Sequence, residues 1–327
     1  MTTFPKVELH LHLEGAAPPA LIRAIAAEKG VDLSGIFNTD GSYAFRNFAA
    51  FLKVYEAATS VLTTPEEFAR LTRAICEELA EQGVIYAETF ISPDFCGGGD
   101  VAAWRDYLAA IEDAAHAAQA AGGPILKGIV TCIRHFGPDA AKAPALCAAE
   151  TRGEMIVGFG MGGDEGMGRQ GDYAWAFDCA REAGLHLTTH AGEWGGPESV
   201  RDALDDLRVA RIGHGVRAIE DPALVQRLAD EGVVLEVCPG SNVALGLYPS
   251  VTAHPIAKLR EAGVLVTVST DDPPFFHTTL TAEYDALAAA FGWEEADAKA
   301  LNVAAARAAF CDETTKTTLL KTLDAAP

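Results

Sequence analysis

Basic residues are scarce in this 327-residue chain: 25 Lys and Arg stand against 46 Asp and Glu, a formal net charge of -21. A field of that sign repels phosphate backbones and anionic lipid, which argues against nucleic-acid and membrane-surface partners and favours a neutral or cationic small substrate. Long apolar runs are missing as well, so no segment reads as a bilayer span. The seven cysteines, at 76, 96, 132, 147, 179, 238 and 311, form no C-x-x-C pair and are odd in number. That pattern speaks against a disulfide framework and for a reducing compartment, with the thiols acting as small buried hydrophobes. The opening segment MTTFPKVELHLH has no apolar h-region before its first strand pattern, so a cytoplasmic location is expected. No low-complexity linker divides residues 1–327, and one domain is expected.

What the chain does contain is a recurring unit. A short β-branched run is followed by a turn and then by an Ala/Leu/Glu/Arg-rich helical stretch. Eight runs are found: VELHLH, VIYAETFI, ILKGIVTCI, MIVGFGM, LHLTTHA, ARIGHGV, VVLEVCP and VLVTVST. PALVQRLADEG ends in Gly232 immediately before the seventh run, a helix C-terminal signal. Strand alternating with helix implies parallel pairing through right-handed crossovers. Eight such units predict an α/β fold, a (β/α)8 TIM-type barrel. The competing doubly wound sheet usually carries a Gly-rich phosphate turn after its first strand, and here HLEGA stands in that place. About seventy residues separate the first two strands, so extra helices are inserted there. In NFAAFLKVYEAATSVL, Phe48, Phe51, Leu52 and Tyr55 share one helical face. That face either packs on the barrel or lies over its mouth as a lid.

Barrel chemistry sits at the C-terminal ends of the strands, and the unusual polar residues fall there. Strand one ends in His10, His12 and Glu14, and strand four runs into Gly163-Asp164-Glu165. Strand five ends in His190 and Glu193, strand six in His214, strand seven in Ser241 and Asn242, and strand eight in Asp271 and Asp272. Burying that many ionisable groups is costly unless they bind a metal or one another. Period two aims His10 and His12 to one face, and His190 and Asp271 complete a three-nitrogen, one-oxygen set. Such a set suits one zinc ion, with iron or cobalt compatible. Glu193 is placed to give a proton to a substrate nitrogen. Strand alternation alone would turn Asp272 away from Asp271, whereas a strand terminus lets it face the pocket. Gly163 suits a close backbone approach to a planar ligand.

Taken together, "ELHLHLEGA", "GGDE", "THAGEWGGPESV", "RIGHGV", "EVCPGSNVALG" and "STDDPPFF" resemble the adenosine deaminase family of the metal-dependent amidohydrolase superfamily. The resemblance spans nearly the whole chain. It implies one zinc held by His10, His12, His190 and Asp271, with Glu193, His214 and Asp271 as the catalytic groups. Glu193 would protonate the purine N1, and His214 would orient or deprotonate the attacking water. Asp272 would bond N7, and the Gly163 N–H would bond N3. Further substrate contacts are expected from His12, Glu14 and the apolar lid residues Phe48, Phe51, Leu52 and Tyr55. The implied reaction is hydrolytic deamination of adenosine or 2'-deoxyadenosine to inosine or 2'-deoxyinosine and ammonia, within purine salvage and without an organic cofactor. The expected partner is thus a small 6-aminopurine nucleoside. The alternative is the same chemistry on adenine or a modified 6-aminopurine, and a remote one is a non-catalytic purine-binding barrel. Two positions depart from the family pattern. Glu14 replaces a ribose-facing Asp, as in relatives acting on free adenine, and Gly160 replaces an acid. Both are expected on the sugar-facing, lid side. Retention of Gly163-Asp164-Glu165 is expected to favour a nucleoside.

Overall fold

The structure, a computed structural model, describes residues 4–326. All eight apolar runs form strands: β1 (Lys6–His12), β2 (Val84–Ile91), β3 (Ile125–Ile133), β4 (Ile156–Gly162), β5 (His186–Ala191), β6 (Arg211–His214), β7 (Val234–Val237) and β8 (Leu265–Val268). Each pairs in parallel with the next in chain order. The sheet comes round on itself just beyond β8, where Asp271 donates to the His10 carbonyl and accepts from the His12 amide, both at 3.0 Å. The α/β, TIM-type barrel expected from the sequence is therefore the fold.

Local signals set the crossover helices. The Pro65–Glu81 helix starts at Thr64, whose hydroxyl accepts from the Glu67 amide while the Glu67 carboxylate accepts from the Thr64 amide, with Pro65 at the first position. The Pro222–Glu231 helix starts at the Asp221 cap and ends at Gly232 in the left-handed conformation, one residue before Val233 leads into β7. The inserted segment after β1 contributes the Pro19–Lys29 and Phe48–Thr59 helices ahead of the Pro65–Glu81 crossover. After β8 the short Pro273–Phe276 helix is followed by three longer ones, Leu280–Phe291, Glu295–Ala308 and Glu313–Ala325, which complete the described chain. Val7 and Leu9 pack in one cluster with Ala305, Ala306, Leu319 and Leu323 from the last two. No helix among the described residues is long and apolar enough to cross a membrane.

The barrel interior is polar in its middle. The Arg211 guanidinium bonds Glu236 at 2.6 Å and Glu88 at 2.5 Å, and stacks 3.5 Å from the centre of the Phe310 ring. Glu88 also accepts from the Phe310 amide and the Tyr86 hydroxyl, and Glu236 from the Thr188 hydroxyl. This buried network lies beneath the strand ends and connects to them through His10.

Candidate active site

Four imidazoles and two carboxylates converge at the mouth. His10 Nε2 and His12 Nε2 lie 3.1 and 3.2 Å from His190 Nε2. Asp271 Oδ1 is 3.3 Å from His12 Nε2 and 3.6 Å from His10 Nε2. His214 Nε2 stands 3.9 Å from Asp271 Oδ2 and 3.8 Å from Glu193 Oε2. Each inner group is aimed by an outer partner. His10 Nδ1 bonds Glu236 at 2.7 Å, His190 Nδ1 bonds the Met161 carbonyl at 2.8 Å, and Ser241 donates to Asp271 Oδ2 at 2.7 Å.

These partners decide what the centre can hold. A carbonyl only accepts, so His190 carries its proton on Nδ1 and presents a lone pair at Nε2. Neutral His10, donating to Glu236, does the same. Two lone pairs facing each other at 3.1 Å need a cation or a proton between them. Consistently, although burial opposes a charge on His10, its bonds to Asp271 and Glu236 outweigh burial and push its pKa up to about 9. Ligating atoms of His10, His190, His214 and Asp271 all lie within 4.8 Å of one another. The donor set fits a divalent ion of the zinc type.

The remaining groups are tuned apart. Burial, then the charges of Asp271 and Glu165, hold Glu193 well above the ordinary carboxyl range, so it keeps its proton near neutrality. Burial pushes His214 down to about 3, so its imidazole is neutral. Asp271 is held low by His10 and His12 against its burial, whereas burial and the Asp271 charge raise Asp272. Adjacent carboxyls thus differ in protonation. Asp271 has φ 66°, which breaks the strand pleat and lets both side chains face the cavity. Asp272 Oδ1 is buried without a protein partner.

Phe48, Phe51, Leu52 and Tyr55 all line the cavity, so the inserted helix both packs and covers the mouth. Phe51 contacts Phe275 and Phe276, Tyr55 contacts Phe95, and Phe48 contacts Trp194. Gly163, with φ 98°, also lines the cavity. Glu14, Gly160, Asp164 and Glu165 lie outside the cavity lining. Glu14 does not line the cavity. It is buried in the wall, accepting from the Ser92 amide and from Cys96 and Tyr55, and burial raises it to about 7. Gly160 is not on the lid side. It pairs with Thr131 inside β4, and a Cβ there would meet Phe90 and the Thr188 carbonyl at 3.3 Å. Of the Gly163-Asp164-Glu165 triplet, only Gly163 lines the cavity. Asp164 accepts from the Gly166 amide, and Glu165 is buried behind the Glu193 loop.

Sequence reasoning missed Phe95, Ile133, His135, Glu56 and Leu245 in the lining, because nothing marks a strand-end aromatic as a pocket residue. It also assigned no role to Glu236, whose signal was an acid inside the apolar run VVLEVCP, or to Asn242, which donates to Glu193 at 3.2 Å.

A parallel eight-stranded barrel with imidazoles and carboxylates gathered at its C-terminal mouth defines an amidohydrolase-type site. The sequence model of the adenosine deaminase family matches residues 5–326, and the chain belongs to that family. It is 50% identical over 319 residues to an adenine deaminase of Rhizobium leguminosarum bv. trifolii, covering 97% of this chain and 98% of that one. Among solved structures it resembles the adenine deaminase of Arthrobacter aurescens, with a TM-score of 0.91, 30% identity and 98% of each chain covered. It also resembles an amidohydrolase of Burkholderia ambifaria solved with bound zinc, with a TM-score of 0.85, 29% identity and coverage of 98% and 93%.

Proposed function

We propose that this chain is an adenine deaminase, converting adenine and water to hypoxanthine and ammonia. The observation that carries the reading is the 50% identity, over almost the whole length, to proteins of that name. It replaces the nucleoside substrate expected from the sequence. The cavity supports it physically. A ribose brings hydroxyls that need polar partners. Beyond the metal-side cluster the lining is largely aromatic and aliphatic, and the polar groups there, Glu56 and His135, face each other at 3.6 Å. Glu14 is committed to Ser92, Cys96 and Tyr55.

His10, His12, His190 and Asp271 would hold a zinc ion. Such an ion, when bound, supplies Lewis acidity that lets a water molecule ionise near neutral pH. The chain's own groups do the rest. Protonated Glu193 donates to a ring nitrogen and makes the adjacent C6 electrophilic. Neutral His214 accepts the proton that the attacking water loses, that proton leaves with the amine as ammonia when the C6–N bond breaks, and the proton on the new C6 hydroxyl returns to Glu193 as the 6-oxo product forms. Asp272, protonated and unpartnered at Oδ1, offers a hydrogen bond to the ring edge. The Gly163 N–H contacts the opposite edge, and the aromatic face of the Phe48–Thr59 helix covers the base and excludes water.

The test is ammonia release by zinc-loaded protein on adenine, adenosine, 2'-deoxyadenosine and AMP. We expect kcat/KM for adenine to exceed that for adenosine by about 100-fold or more. Equal or better turnover of adenosine would overturn the reading.

A further inference from the structure

We propose that Glu165 is a positioning residue for this reaction: its carboxylate gathers four consecutive backbone N–H groups and thereby fixes where Glu193 enters the cavity. This rests on the reading of Glu193 as the proton donor. Glu165 Oε1 accepts from the Gly192 amide at 2.6 Å and from the Ser199 hydroxyl at 2.5 Å. Its Oε2 accepts from the amides of Glu193 at 3.0 Å, Trp194 at 2.8 Å and Gly195 at 2.8 Å. Among the described residues no Lys or Arg comes within ion-pair distance of it; the Arg134 guanidinium interacts with its charge from further off, and the direct partners are backbone amides and one hydroxyl. Consecutive amides converging on one anion form a concave nest that only a curled loop provides.

The segment AGEWGG is built for that curl. Gly192 has φ 70°, and a Cβ on it would sit 2.4 Å from Val200 Cγ2. A Cβ on Gly195 would sit 2.5 Å from Glu165 Oε1 itself. With its backbone held from behind, the Glu193 side chain runs the other way. Asn242 donates to its Oε1 at 3.2 Å, and His214 Nε2 lies 3.8 Å from its Oε2. The acid is fixed at both ends, which proton transfer to a bound ring requires. Glu165 also places a negative charge behind Glu193, which favours the protonated acid.

Glu165→Gln removes the charge and turns one acceptor into a donor facing donors. We expect the 192–195 amides to exchange hydrogen at least about 10-fold faster, with β1 and β5 unchanged. We expect kcat on adenine to fall about 100-fold, with KM within about 3-fold and one zinc still bound. The basic limb of the pH profile should move to lower pH, because one of the charges that add to burial in keeping Glu193 protonated is gone. A smaller fraction of folded enzyme would lower the rate without moving that limb. Glu165→Asp retracts the carboxylate by one methylene but keeps its charge. It should slow kcat and speed exchange with the limb unmoved, and it serves if the Gln variant does not fold. Unchanged exchange at 192–195 overturns the clamp, whatever the substrate proves to be. Faster exchange with unchanged kcat overturns the positioning role. Should the wild type fail on adenine, the proposed function falls while the exchange measurement still decides the clamp.

Discussion

Replacing Glu236 by Gln tests whether the barrel's buried network aims the imidazoles proposed to hold a metal. The Glu236 carboxylate accepts from Arg211 Nε at 2.6 Å, from Thr188 at 3.0 Å and from His10 Nδ1 at 2.7 Å. A glutamine has one acceptor oxygen, so its NH2 must confront one of these donors. Arg211 then keeps Glu88 as its remaining carboxylate partner. Breaking one arm of a buried ion pair is destabilising by about 3–5 kcal/mol. Losing the outer partner of a ligating His weakens metal binding by about 10–100-fold. That range corresponds to about 1.4–2.8 kcal/mol. Zinc affinity should be measured by competition with a chromogenic chelator, alongside urea unfolding of the metal-free and zinc-loaded protein. The zinc-loaded variant should then lose more stability than the metal-free one. Zinc affinity within twofold of the wild type would refute the idea that Glu236 orients His10.

Glu193→Gln keeps the oxygen that Asn242 bonds but has no proton to give. Its kcat should fall by about 10²–10⁴ with zinc content and melting temperature retained, and survival of a tenth of the activity would remove Glu193 from the mechanism. Glu283 offers a stability test away from the reaction. It accepts from the Gly240 amide at 2.9 Å and Thr278 at 2.6 Å, yet burial raises it from 4.5 to about 7. The native state therefore holds a proton that the unfolded chain releases. This contribution is fully present below pH 4.5 and is lost as the pH rises to about 7. It amounts to at most about 3 kcal/mol. Urea unfolding between pH 4.5 and 8 should show that slope flattened in Glu283→Gln, and an identical profile in the variant would refute it.

The fold was legible because each strand carries its own signal. Eight β-branched runs, each closed by a turn and followed by a helix pattern, leave little choice of topology. The inner groups were legible for the same local reason: His10 and His12 sit two apart on one strand. What escaped was whatever depends on two segments meeting. Glu14 lies two residues after His12, yet Ser92 and Cys96, just past the end of β2, turn it into the wall. Glu165 reads as part of a loop motif, and its role exists only because residues 192–195 wrap it. Asp272 follows a strand whose pleat predicts the opposite face, and a single left-handed residue, Asp271, reverses that.

The glycines of β4 carry the same lesson further. Parallel barrels usually fill their interior with branched side chains. Here the inward positions of GFGMGG are empty because other strands fill the space. A methyl group at Gly160 would press on Phe90, whose ring supports His10, His12 and His190. At Gly162 a Cβ would already touch His190 and His12 at 3.4 and 3.5 Å, so any larger side chain would enter the imidazole cluster. On β6, a Cβ at Gly213 would lie 2.7 Å from His10 Cε1. The imidazole pair on β1 is thus accommodated by residues 150 and more positions away that have no side chain at all. Read alone, GFGMGG is glycine-rich but not a phosphate fingerprint. Read against H-x-H, it is the space those rings require: a methyl at Gly160 asks Phe90 to give by a few tenths of an ångström, and at Gly162 only a side chain larger than Ala reaches into the rings.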